Sequence, residues 1–134
     1  MQQQIKSLLP FKSKTGAWRR IEVLEAENRQ VVKTMMEVAS YFRQVLAEPR
    51  EIYLSVQEVR SLTVYIRWRK KGVKGHQSYL VLNSIEGQDF LLRQSQATQQ
   101  LFLRFNQWAL DLNLAHSLRL NEIRRIKKYL QDLQ

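Results

Sequence analysis

The chain has no cysteine, two prolines and four glycines, and no apolar run approaching the roughly 20 residues that a bilayer-spanning helix needs. Without cysteine there is no disulfide, no thiolate nucleophile and no cysteine-based zinc site. No GxxxxGK[ST] phosphate loop and no nucleophile elbow occur, and no paired His–carboxylate set has zinc-ligand spacing. The two histidines, His76 and His116, stand apart from any acid or nucleophile pattern. Glu86 and Asp89 flank Gly87 as in an ordinary turn and supply too few ligands for a calcium loop. The expectation is a non-enzyme with no metal, no cofactor and no small-molecule ligand. The N-terminal stretch lacks a secretory h-region, so a cytoplasmic setting is expected.

The most informative shortage is local. From Val59 to Ile85 there are six basic residues and no acid, within a chain of 134 residues whose net charge is +10. A field of that sign favours anionic partners: nucleic acid, acidic lipid or an acidic protein surface. Hydrophobic residues at 44% and charged residues at 25% are globular values, and the length suits one domain spanning 1–134.

The sequence divides into blocks. Residues 1–16 place Ile5, Leu8, Leu9 and Phe11 among lysines, and Pro10 cuts the segment short; a strap on the domain's own surface is expected rather than a membrane anchor. Residues 17–48 read as one long helix, with Thr15 as N-cap and Pro49 beyond its end. Its apolar positions form heptads: Ile21, Asn28, Met35 and Phe42 at a, with Leu24, Val31, Val38 and Val45 at d. An Asn in such a seam fixes register in coiled coils, so Leu24, Asn28, Val31, Met35 and Phe42 are candidates for a homodimer or partner surface. The other reading packs this helix on the chain's own sheet. Position e turns apolar at Val32, Ala39 and Leu46, which favours internal packing for the second half and leaves the first half for self-association.

Residues 51–93 alternate as strands. Ile52, Leu54 and Val56 share one face, as do Leu62, Val64, Ile66 and Trp68 in the next run. QSYLVLN continues the alternation after KKGVKG, whose glycines suit a reversal, so the second and third strands form a hairpin. FLLRQ reads either as a fourth strand or as the run-in to a helix. Residues 95–133 read as a helical pair broken at Asn113, with Trp108 in the core and Trp18 stapling the first helix. The expected class is α+β: a long helix, a three- or four-stranded antiparallel sheet, then two helices.

Strand parity aims the local charge. Tyr65, Arg67 and Arg69 share one face, Tyr79 is a candidate neighbour, and Lys70, Lys71 and Lys74 extend from the tip with His76 at the hairpin base. Cations displace counterions from phosphates, while planar arginine and tyrosine groups stack on bases or read groove edges. Arg124, Arg125 and Lys128 on the last helix are supporting candidates, although cations there also suit a helix C-terminus. The expected function is nucleic-acid binding, DNA favoured over RNA; the alternative is an assembly module docking through the first helix. The surface reading that competes is a solvated strand face, but such faces normally mix signs.

The run LTVYIRWRKKGVKGHQSYLVLN, preceded by a long helix, resembles a family of small bacterial proteins carried on integrative and plasmid elements. The shared feature is a strand ending in R-W-R before a short glycine-containing basic turn. The resemblance implies an accessory role in element maintenance, transfer or regulation, and implies no site residues.

Overall fold

The computed structural model describes residues 1–60, 62–75 and 78–134. In chain order the elements are α1 (Gln2–Lys6), α2 (Lys14–Val45), β1 (Ile52–Arg60), β2 (Thr63–Lys70), β3 (Tyr79–Leu80), α3 (Ile85–Leu92) and α4 (Gln96–Asp132). The sheet is antiparallel, in the order β1-β2-β3. The architecture is therefore the α+β class read from the pattern, with a long N-terminal helix, three strands and two C-terminal helices.

Where those helices begin and end differs from expectation in two places. Ser13, not Thr15, caps α2, because its Oγ accepts the Gly16 N–H at 3.0 Å. Of the two alternatives for FLLRQ the helical one holds for Phe90–Leu92: Ser84 Oγ accepts the Gly87 N–H at 3.1 Å and starts α3 at Ile85, a short turn after the two-residue β3. Asn113 closes nothing, since α4 runs unbroken for 37 residues from its Ser95 cap, about 55 Å at the α-helical rise. Asn113 does not compete with its own helix backbone because its amide reaches across to the sheet, accepting from Ile66 N–H at 2.9 Å and donating to Ile66 O at 2.8 Å.

α2 and α4 lie antiparallel, and their upper halves cover one face of the sheet. Met35, Ala39 and Phe42 of α2 meet Phe102, Phe105 and Ala109 of α4 over Leu54, Ile66 and Trp68. Phe42 sits edge-on to Trp68 and Phe105, with ring centroids 5.1 and 5.2 Å away, a favoured arrangement of aromatic quadrupoles. A second apolar cluster, Ala17, Ile21 and Leu24 against Ile123, Ile126 and Leu130, joins the lower halves. Arg20 clamps those halves with a two-pronged contact to Glu122 at 2.7 and 3.2 Å.

These contacts answer the question the heptads raised. Leu24, Met35 and Phe42 are buried, and Asn28 and Val31 are half-buried, all within this one chain. The expected docking surface is filled by α4 and the sheet, including the first half that was assigned to self-association. Asn28 fixes no register between chains; its Oδ1 lies 2.8 Å from His116 Nδ1 of α4. Trp108 is also corrected: at 36% exposure it lies on the rim, stacked on Tyr41 at 6.5 Å. Trp18 is half-exposed, and of the N-terminal strap only Phe11 packs, 5.7 Å from Tyr129, while Ile5, Leu8 and Leu9 face solvent. No helix is long and apolar enough to cross a membrane among the described residues.

Candidate nucleic-acid interface

Alternation along β2 decides which side chains meet. Ile66 and Trp68 point into the core, so Tyr65, Arg67 and Arg69 emerge on the face that α2 and α4 leave open. The register sets Gln57 opposite Tyr65, Ser55 opposite Arg67 and Tyr53 opposite Arg69, with Tyr79 of β3 opposite Arg69 on the far side. The turn that positions Tyr79 uses Gly72 and Gly75 at φ of 78° and 80°, backbone that side-chain-bearing residues rarely adopt.

Arg67 is the centre of the face. Its guanidinium carbon is 3.6 Å from the Tyr79 ring centroid and 5.3 Å from that of Tyr65, within cation–π range of both. It also donates to Gln57 Oε1 at 3.4 Å, and the Tyr79 hydroxyl donates to the same oxygen. Arg67 Nε is buried without a hydrogen-bond partner among the described residues. Arg69 lies 5.8 Å from the Tyr79 ring, and Tyr65 is 39% exposed. Among the described residues no carboxylate pairs with Arg67, Arg69, Lys71 or Lys74. The cluster is thus braced by aromatic rings and an amide, which hold guanidinium groups in place without cancelling their charge.

The other expected contacts distribute unevenly. Lys71 and Lys74 are exposed on the turn at one end of β2. Arg124 reaches the opposite end, 3.5 Å from Thr63 Oγ1, so the cations are strung over about 26 Å of strand. Lys70 is corrected: it has core-face parity and its Nζ pairs with Glu86 at 2.9 Å, so it is absent from the tip cluster and largely neutralised. Lys128 is likewise engaged with Asp132 at 2.8 Å, one turn away on α4. Arg125 is exposed on α4 and, among the described residues, makes no hydrogen bond or ion pair to the sheet. His76 lies outside the described residues.

Sequence reasoning missed Gln57, whose signal was available only as β1 parity; converting parity to contact required the β1–β2 register. That register follows a turn holding Leu62, not glycine, at φ 72°. It also missed His116. β3 pairs with only two residues of β2, Trp68 and Arg69, which leaves the backbone of Val64 and Ile66 facing α4. Asn113 serves Ile66, and His116 Nε2 accepts the Val64 N–H at 2.9 Å, so side chains of α4 complete the edge where the strand stops. Asn106 continues the row by accepting from Trp68 Nε1 at 3.0 Å.

No family model matches the chain, and neither a curated protein nor a solved structure matches it.

Proposed function

We propose that the protein binds nucleic acid, DNA in preference to RNA, through the open face of its sheet and without catalysing a reaction. The observation that carries this reading is Arg67, stacked on Tyr79 at 3.6 Å with no carboxylate paired to it among the described residues. Surface arginines placed for solubility alone mix with acids, whereas a polyanion site keeps its charge unpaired and its planar groups ordered. Tyr65 and Tyr79 supply stacking surfaces, Arg67 and Arg69 supply forked donors, and Lys71 and Lys74 follow the phosphate backbone beyond the strand. Arg124 is a supporting contact at the far end. A cytoplasmic accessory role on a mobile genetic element fits this activity and the resemblance of the R-W-R hairpin. The assembly reading through α2 loses its surface to α4.

The double substitution Arg67→Glu/Arg69→Glu tests the proposal. Two charge-assisted contacts at about 1.5–3 kcal/mol each predict at least a ~100-fold weaker affinity for oligonucleotides in low-salt fluorescence anisotropy. The circular dichroism spectrum should not change, because both side chains lie outside the core. Wild-type affinity should fall with salt, by roughly one power of concentration per phosphate contacted. Lys128→Glu should change affinity less than about threefold, since that lysine is already paired on its own helix. Equal binding by the wild type and the double variant refutes the assignment of this face.

A further inference from the structure

α4 carries two apolar faces, and only one of them is used inside the chain. Phe105, Ala109, His116 and Ile123 point into the core, whereas Leu103, Leu110, Leu114 and Leu118 are 50%, 56%, 59% and 58% exposed. At 100° per residue those four leucines fall within an arc of about 80°, roughly opposite the buried face. They form one strip about 22 Å long on the outside of the molecule. Leu110 also lines a groove with Val81, itself 70% exposed, and with Arg67 at the border of the sheet face. Contiguous apolar surface of this kind is uncommon on a chain that works alone.

We infer that this strip is the contact between two copies of the chain, packed with their α4 helices antiparallel. Charge selects the occupant. Copies of a chain with net charge +10 repel one another over most of their surface. Between Leu103 and Leu118 the one other residue that falls within the leucine arc, Gln107, is uncharged. A second copy therefore meets no like charge within the strip itself. The flank adds a positive element. Arg104 and Asp111 are exposed, seven residues apart on the same side of the strip. In an antiparallel helix pair, equivalent flank positions face each other, so Arg104 of each copy approaches Asp111 of the other. Edge-to-edge pairing of β2 is not the route, because Asn113 and His116 already occupy the backbone groups at Ile66 and Val64. The inference is independent of nucleic-acid binding, although a two-fold pair of this kind sets an Arg67 face on each side of the seam.

Sedimentation equilibrium of the full chain tests it. The wild type should move from monomer mass to twice that mass as concentration rises through the micromolar range, on the order expected for a small interface. Leu110→Glu/Leu114→Glu should stay monomeric at about 200 μM with an unchanged melting temperature, because both side chains are outside the core. Met36→Glu, on an exposed apolar site of α2, should still dimerise. Asp111→Arg should weaken association at least tenfold, and Arg104→Asp/Asp111→Arg should restore it. A wild type that is monomeric at every concentration overturns the inference. So does a dimer broken by Met36→Glu and not by the leucine pair, and failure of the charge swap to restore association overturns the antiparallel arrangement.

Discussion

Gly87→Ala should lower the melting temperature by roughly 10 °C, a net loss of about 2–3 kcal/mol. A methyl at this position would sit 2.2 Å from the Leu82 carbonyl oxygen and 2.5 Å from that of Val81. Both obstacles are backbone, so no rotamer change relieves them. Alanine normally favours a helix over glycine by about 1 kcal/mol, and here the clash must exceed that gain. Relief comes by moving α3 or by moving the Val81–Leu82 peptide, and the latter pulls on β3, where Leu80 pairs with Trp68 and Tyr79 with Arg69. Tyr79 is the ring beneath Arg67, so the variant should also weaken oligonucleotide binding although Gly87 touches none of the proposed contacts. Gly72→Ala is the contrasting case: nothing lies within 4 Å, but φ is 78°, and the expected cost is the ~1 kcal/mol of a left-handed alanine. Thermal melts of the two variants that coincide would refute the tight approach of α3 to the strand end.

The second large effect concerns His116, which is 2% exposed and hydrogen-bonded through both ring nitrogens. Val64 N–H donates to Nε2, so the proton sits on Nδ1 and is donated to Asn28 Oδ1; the ring is neutral and its tautomer is set by its partners. Burial holds its pKa below the ordinary histidine value, and the Arg124 charge pushes it further the same way. Protonation would aim a second N–H at the Val64 N–H. The unfolded chain therefore binds a proton more readily than the folded one. Stability is complete above the unfolded value of about 6.5 and declines as pH falls from there toward the lower folded pKa, by up to ~1.4 kcal/mol per pH unit. His116→Ala leaves two half-buried partners, the Val64 N–H and the Asn28 amide, without the imidazole and a cavity in place of the ring, for a loss of about 3 kcal/mol at neutral pH. The same variant should lose the decline between about pH 6.5 and 5. Melts that are flat across that interval in the wild type, or an identical decline in the variant, would refute this account.

How much of this could be read from residue order depends on the range of the forces involved. Alternation along β2 is local, and it placed Ile66 and Trp68 inside and Tyr65, Arg67 and Arg69 outside correctly. The heptads of α2 were equally legible, but periodicity reports only that a face is buried, not by what. The partner proved to be α4, some 60 to 110 residues later in the chain. Asn113 misled for a related reason: asparagine ends helices when its amide turns back on its own backbone, and here that amide is occupied by Ile66. Trp108 follows the apolar spacing of α4, yet its ring meets Tyr41 of α2 at the solvent edge of the helix pair, so a rim residue carries a core-like pattern. Lys70 shows the limit of charge counting, since Glu86, just beyond the acid-free stretch, folds back onto it.

The imidazole and amide pair of His116 and Asn28 sits between the two apolar clusters and divides the long helical hairpin into unequal storeys. The upper storey rests on a sheet and has aromatic rings interlocked in three directions. The lower one is a two-helix contact clamped by Arg20 and Glu122, too thin to persist by itself, and borrows its order from above through a polar hinge. Opening of the molecule from its chain-terminal end would then release Arg124 from Thr63 at one end of the cationic strand, while Tyr65, Arg67 and Arg69 stay with the sheet of the upper storey.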